Sequence, residues 1–171
     1  MRTPKLRTAR LSLAPLRPAD AAAMAVVLGD RTLHAFIGGE PLDEAALRQR
    51  FDRLVIGRSE DGREDWHNWI VRILASDEAV GTVQATVTAA GANAEIGYVI
   101  GVPWQGNGYA SEAMQAIVDW LGSVGVATID AHIHHRHTAS EAVAERAGLS
   151  LTEELVLGER VWRRNRAAAP R

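Results

Sequence analysis

The chain has 171 residues, 47% of them apolar, a formal net charge of -2 and no cysteine. That length and apolar share suit one folded core, and the balanced charge argues against bulk nucleic-acid or membrane-surface binding. Lack of cysteine excludes disulfides, thiolate metal sites and a cysteine nucleophile. The basic start Met1–Arg10 has no apolar run of signal-peptide type, and no stretch reaches membrane-spanning length. A soluble cytoplasmic protein is expected.

Residues 1–9 carry no periodic pattern and are expected to be loose. Leu11, Leu13 and Leu16 predict a first strand ending near Pro15. Arg17-Pro18-Ala19-Asp20 reads as a turn into a helix over 18–28, because Pro18 suits an early helical position and the alanine-rich run has high propensity. Residues 31–42 form a loop with an apolar centre at Leu33, Phe36 and Ile37. Asp43 is placed to cap a second helix over 44–57, with Leu47, Phe51, Leu54 and Val55 as its buried stripe. The charged run 58–65 is a surface loop.

The period then switches to two. Trp69, Val71 and Ile73 mark a strand over 67–74. Val83, Ala85 and Val87 alternate with Thr82, Gln84, Thr86 and Thr88 in the next, and 94–101 completes an antiparallel meander. A helix over 108–124 presents Ala110, Met114, Ile117, Val118 and Leu121 on one stripe. The strand that follows, 126–134, comes after a crossover helix and should run parallel to 94–101. The last helix, 139–147, has a capping-box signature in Thr138 and Glu141 and a stop at Gly148. Leu151–Leu157 and Arg160–Arg164 make a closing hairpin, and 165–171 reads as a frayed tail. Trp66, Trp69, Trp104, Trp120 and Trp162 read as packing residues, since a base-stacking platform wants interspersed basic residues. The whole is one mixed α/β domain over 1–171, with a core over 8–164 and no repeat or dividing linker.

The stretch from Glu95 to Ala113 organises the chain. Glu95, Gly97, Val99 and Gly101 share one strand face, and Ile96, Tyr98 and Ile100 the other. A Pro103-Trp104 turn follows, then Gly106 and Gly108, then the helix. The first turn of a helix leaves N–H groups without internal partners, and glycines let a backbone approach closely, so strand, glycine turn and helix can hold a phosphate. Gln105 adds a neutral donor at the rim. No Lys-Ser/Thr follows the glycines, so this is not a P-loop, and the third glycine of the dinucleotide fingerprint is missing. On spacing alone, a tight structural turn is the competing reading.

Gln105-Gly106-Asn107-Gly108-Tyr109-Ala110 resembles the Gln/Arg-x-x-Gly-x-Gly/Ala signature of the GNAT superfamily of acyl-CoA-dependent N-acetyltransferases. Its flanks are similar to the RimJ/RimL branch, related to ribosomal-protein N-terminal acetyltransferases. They are Glu95-Ile96-Gly97-Tyr98, Tyr109-Ala110-Ser111-Glu112-Ala113 and Thr138-Ala139-Ser140 ahead of Glu145-Arg146-Ala147-Gly148-Leu149. The similarity spans 8–163. It implies the GNAT fold: a mixed, mostly antiparallel sheet of about six to seven strands, about four flanking helices and a splayed parallel strand pair.

The resemblance also implies a chemistry. Acetyl-CoA would lay its diphosphate on the backbone N–H groups of Gln105, Gly106, Asn107, Gly108, Tyr109 and Ala110. Its pantetheine arm would fill the gap between the two parallel strands and pair with backbone at Val99, Ile100, Gly101 and Val102, an N–H near Ile100 polarising the thioester. The amine attacks directly, with no covalent acyl-enzyme. Glu95 is the candidate general base, through water. Ser140 matches the serine proposed to protonate the departing thiolate, and as a first-turn serine it has an equally good capping role. His137 stands where the branch carries an asparagine bonded to pantetheine; an imidazole can donate one hydrogen bond and accept another. Arg31, His34 and Phe36, with His132 and His134, would border the acceptor site. The tyrosine that many GNAT proteins place on the last helix is Ala144 here, and neither Tyr98 nor Tyr109 fits its slot.

The acceptor implied is an amine-bearing small molecule or a protein N-terminus, with no nucleic-acid or membrane partner. Either a monomer or a homodimer is compatible, the final hairpin offering a sheet edge. A metal at His132, His134, His135 and His137 is disfavoured: Asp130 lies in the same short strand, and structural sites draw on separate elements. The alternative function is a non-catalytic acyl-CoA-binding sensor. The missing tyrosine and His137 favour it, while Glu95 and Ser140 oppose it. A structural domain with no ligand is the third reading.

Overall fold

Val83, Ala85 and Val87 alternate in burial as they do in the sequence, whereas Trp69, Ile70 and Val71 are all buried, and these strands build one sheet. The computed structural model describes residues 2–88 and 90–165. Of the expected tail, Asn165 ends the last strand and 166–171 lie outside the described residues. The strands are β1 (Leu6–Arg7), β2 (Leu11–Pro15), β3 (Glu64–Ile73), β4 (Ala79–Thr88), β5 (Asn93–Ile100), β6 (Thr128–Ile133), β7 (Ser150–Val156) and β8 (Glu159–Asn165). They pair in the order β1-β2-β3-β4-β5-β6-β8-β7, every neighbour antiparallel except β5 and β6. This is the mixed α/β GNAT arrangement, one strand larger than expected because Leu6–Arg7 pairs with Ser12 and Leu13.

Helices cover both faces. On one lie α1 (Ala21–Val27) and α3 (Glu44–Leu54), whose Met24, Val27, Leu47 and Phe51 pack with Ile70 and Ala79. Between them runs the short α2 (His34–Ile37). Asp43 caps α3 as expected, its carboxylate accepting from the Ala46 N–H at 2.8 Å. The helix stops at Leu54, short of the expected 57, and Val55 is half exposed. Gly57, at φ +77°, takes the left-handed turn that leads the chain away. On the other face lie α4 (Tyr109–Ser123) and α5 (Thr138–Arg146). Ala113, Met114, Ile117, Val118 and Leu121 of α4 are buried against Leu11, Leu13, Trp69, Val71, Val83 and Ile96.

The N-terminal segment is not loose. Trp69 donates its indole N–H to the Pro4 carbonyl at 2.7 Å, and Thr3 Oγ1 lies 3.0 Å from His67 Nδ1. A two-residue strand is too short for periodicity to reveal; tertiary bonds hold it. Beneath it, Trp120 of α4 packs edge-on against Trp69 (5.3 Å, 78°) and His67 (4.9 Å, 72°). Such aromatic contacts fix orientation beyond their buried area, so they set the far end of the helix whose start carries the glycine loop.

His67 is fully buried, and its Nε2 has no hydrogen-bond partner among the described residues. Burial pushes its imidazole below the ordinary value. The unfolded chain therefore binds a proton that the folded chain refuses. Stability is unaffected above about pH 6.5 and falls as pH drops below it. Thermal melts should show Tm falling between about pH 6.5 and pH 5, and His67→Phe should flatten that slope. An unchanged slope in the variant would assign the acid sensitivity to other groups.

Candidate active site

The parallel ladder between β5 and β6 is short. It pairs Asn93 with Thr128, Ala94 with Ile129 and Glu95 with Asp130, then ends. Yet β5 runs on to Ile100 along β4, and β6 runs on to Ile133 along β8. Each strand keeps its outer neighbour and the inner edges diverge, leaving a wedge. Gly101 N donates to Val80 O at 2.9 Å, so Gly101 and Val80 form a hydrogen-bonded pair. The alternation of an antiparallel ladder then points Val99 at β4, and turns the backbone N–H and C=O of Tyr98 and Ile100 into the wedge. Of the expected contact positions, Val99 and Gly101 thus spend their amides on β4. Ile100 faces the opening, and Val102 begins a 3-10 turn.

The glycine loop stands at the open end. Gly106 and Gly108 both sit at φ +77°, and Gly108 is the N-terminal residue flanking α4. A Cβ at Gly106 would meet nothing within 4 Å, so its surface is open. Tyr109 and Ala110 open the helix, where N–H groups point outward. Gln105 does not serve as a rim donor in the expected way. Its amide turns back to donate to the Ile100 carbonyl at 2.9 Å, tying the loop to the end of β5. Asn107 is likewise internal, its amide donating to the Trp104 and Gln105 carbonyls.

Across the wedge from β5, α5 begins. Its cap is His137, whose Nδ1 accepts from the Ser140 N–H at 3.0 Å. The expected Thr138–Glu141 capping box does not form: Thr138 already belongs to the helix, and the Glu141 carboxylate accepts from Arg160 at 2.9 Å. As an acceptor, His137 Nδ1 carries no proton, which in neutral imidazole leaves Nε2 as the donor. Ser140 is therefore not the cap, and its hydroxyl lies 2.9 Å from the Tyr98 hydroxyl. Sequence spacing missed Tyr98 as a site residue because it looked for a tyrosine on the helix; this one reaches the helix from the strand. Burial pushes the Tyr98 phenol above its ordinary value, the bond with Ser140 opposing the shift only in part.

Glu95 lies on the opposite face of the sheet. Its carboxylate is more than half exposed, with Oε1 at 3.5 Å from Nδ1 of the largely buried His132. Its ladder neighbour Asp130 is spent on Arg163, which donates to it at 2.7 and 2.8 Å and also to Glu154. Two of the expected acceptor-side residues are occupied: Arg31 is paired with Glu40 at 2.8 Å, and both His34 nitrogens lie near loop carbonyls, Gly38 at 3.1 Å and Leu28 at 3.4 Å. Phe36 is placed differently. Its ring lies edge-on to His137 at 4.1 Å and 5.8 Å from His134, so α2 leans on the wedge from above. The imidazoles of His134 and His135 stack at 4.5 Å. Among the described residues no group of three or more His, Asp or Glu is arranged to hold a metal ion.

Comparison with known proteins gives this geometry a context. The family model of the acetyltransferase (GNAT) domain matches residues 10–150. An uncharacterized N-acetyltransferase of Bacillus licheniformis, p20, is 26% identical over 137 residues, 79% of this chain and 76% of that one. The solved acetyltransferase of Agrobacterium tumefaciens superposes with a TM-score of 0.75 at 24% identity, covering 97% of this chain and 96% of its own. RimL, a ribosomal L7/L12 alpha-N-protein acetyltransferase solved in complex with coenzyme A, superposes with a TM-score of 0.80 at 17% identity, over 95% and 98% of the two chains. At such identities the structural likeness establishes the fold.

The cap has a direct test. His137→Ala should cost about 1 kcal/mol of stability in urea unfolding, the usual loss for a missing cap, whereas His137→Asn, which can also cap, should stay within a few tenths. Equal losses would mean that the imidazole holds α5 by packing on Phe36.

Proposed function

The chain belongs to the acetyltransferase (GNAT) family, and as an acetyl-CoA-dependent acetyltransferase, we propose, it carries the acetyl group to a primary amine by direct attack within a ternary complex. The acceptor is a small-molecule amine or a protein N-terminus. One observation carries this reading: the β5–β6 ladder ends at Glu95 and Asp130 while both strands continue, with the open Gly106 at the mouth of the gap. An extended chain of amides, such as a pantetheine arm, suits backbone groups that face a wedge, and a diphosphate suits outward N–H groups at a helix start. The residues present fit that ligand without a clash on the glycine side.

Within this reading the two faces of the sheet divide the proton work. The amine arrives on the Glu95 face and attacks the thioester carbonyl. As the C–N bond forms the C–S bond breaks, and charge on the carbonyl oxygen is met by the N–H of Ile100. Glu95 stands five residues before Ile100, roughly 16 Å along a strand, too far to touch the attacking nitrogen. It takes the proton through intervening water, with His132 orienting its carboxylate. An α-amine, with a pKa of about 8, needs no extreme base. The thiolate leaves on the other face, where Ser140 protonates it and Tyr98 resupplies Ser140. His137 Nε2–H offers a donor to a pantetheine carbonyl. Phe36, leaning over the wedge, borders the acceptor entrance.

Thiol release from acetyl-CoA should appear with some member of a panel of small amines and N-terminal peptides, the peptides being included because RimL acts on a ribosomal protein's N-terminus. Binding without release across the panel would favour the sensor reading. Glu95→Gln should lower kcat roughly a hundredfold and leave acetyl-CoA affinity unchanged. Parent-like turnover would remove Glu95 from the chemistry. Ser140→Ala and Tyr98→Phe should each lower kcat about tenfold, and the double variant should be no worse than the poorer single one, as residues acting in series require. Additive losses would separate the two hydroxyls.

A further inference from the structure

The glycine loop is gripped from a part of the chain far away in sequence. Glu112 lies in the first turn of α4 and is mostly buried. Its Oε1 accepts from the Thr8 hydroxyl at 2.5 Å and the Arg10 N–H at 2.8 Å, and its Oε2 accepts from Arg10 Nε and lies 2.7 Å from Arg10 Nη2. The same guanidinium donates through Nη1 to the Asn107 carbonyl at 2.9 Å and lies 5.0 Å over the Tyr109 ring. A Cβ at Gly108 would come within 3.4 Å of Arg10 Nη2, so the guanidinium packs directly against the loop's second glycine. Burial tends to raise the Glu112 carboxyl, but the bonds from Thr8 and Arg10 outweigh it and hold it below the ordinary carboxylate range.

An acidic residue in a first helical turn is favourable for the helix alone. Once an anion is to bind the same end, it becomes a liability: an unpaired carboxylate would repel a diphosphate about one helical turn away. We infer that Arg10 is a positioning residue of the diphosphate site, which cancels the Glu112 charge and fixes the Asn107 carbonyl inward so that the following N–H groups face the ligand. The inference rests on the acetyl-CoA reading above. It makes the β1–β2 turn part of the cofactor-binding apparatus, without requiring any of its residues to touch the cofactor.

A two-residue cycle tests it, with acetyl-CoA binding read by calorimetry and folding read by thermal melts on the same samples. Arg10→Ala should weaken acetyl-CoA binding about ten- to fiftyfold, the scale of two like charges a helical turn apart near a protein surface. Glu112→Gln alone should bind at least as tightly as the parent, because it frees a cation beside the site. Arg10→Ala with Glu112→Gln should regain most of the lost affinity. A double variant as weak as Arg10→Ala would show that the clamp acts only as a brace, and would overturn the charge argument. Should Arg10→Ala not fold, Arg10→Gln with and without Glu112→Gln makes the same comparison. No binding by the parent would bring down the acetyl-CoA reading itself, and the clamp with it. Binding by the parent that is unaffected by Arg10→Ala would overturn the clamp alone.

Discussion

The arrangement depends on where a ladder stops. Parallel strands in a sheet normally continue to pair, because buried backbone groups need partners. Here β5 and β6 pair over three positions and then part, although each has a complete outer neighbour to the end. The outer ladders keep both strands rigid, so the divergence is a fixed gap rather than a frayed edge. Its β5 wall carries amide groups turned inward by the β4 register, and Gln105 ties the loop to the end of that wall by donating to the Ile100 carbonyl. A gap of this shape is matched by an extended chain that brings its own donors and acceptors.

The second constraint is the aim of α4. A helix start holds an anion only if it is held at a definite angle to the wedge, and α4 is fixed at both ends by residues from the first strands or their partners. Trp120 seats its C-terminal half on His67 and Trp69. Thr8 and Arg10 hold its N-terminal turn through Glu112. Trp69 in turn is held by the carbonyl of Pro4. Residues 3–10 therefore act on both ends of α4 through packing and charge, and this is why that segment is ordered.

How much of this was legible in the sequence follows from what sequence patterns encode. Period-two alternation located β3, β4 and β5, the 3.6-residue stripe located α4, and Asp43 announced α3, because each is a local rule with a local cause. The positive φ values at Gly106 and Gly108 were likewise readable from residue type. What the sequence did not show is which partner each polar side chain would take, near or far. Arg10 and Glu112 are 102 residues apart, and neither has a local reason to seek the other. Thr138 was the better local cap, yet His137 takes the role because its ring reaches back to the Ser140 N–H. Arg31 and His34, expected at the acceptor side, also bond within their own segment, to Glu40 and at the Gly38 carbonyl.

The capping outcome bears on the chemistry more than on stability. A serine that caps a helix has its oxygen committed to backbone N–H groups, and delivering a proton would mean breaking the cap on every turnover. With His137 as the cap, the Ser140 hydroxyl is released from that duty and meets a second hydroxyl instead. Tyr98 belongs to β5 and Ser140 to α5, so the pair links one wall of the wedge to the helix that follows the other, on the face away from Glu95. The side-chain alternation that sends Tyr98 to one face sends Glu95 to the other. Under the proposed function, a single strand, through its period of two, presents a carboxylate where an amine would lose its proton and a phenol where a sulfur would gain one. On that reading the missing helix tyrosine need not be replaced on the helix, because the strand beside it supplies the hydroxyl.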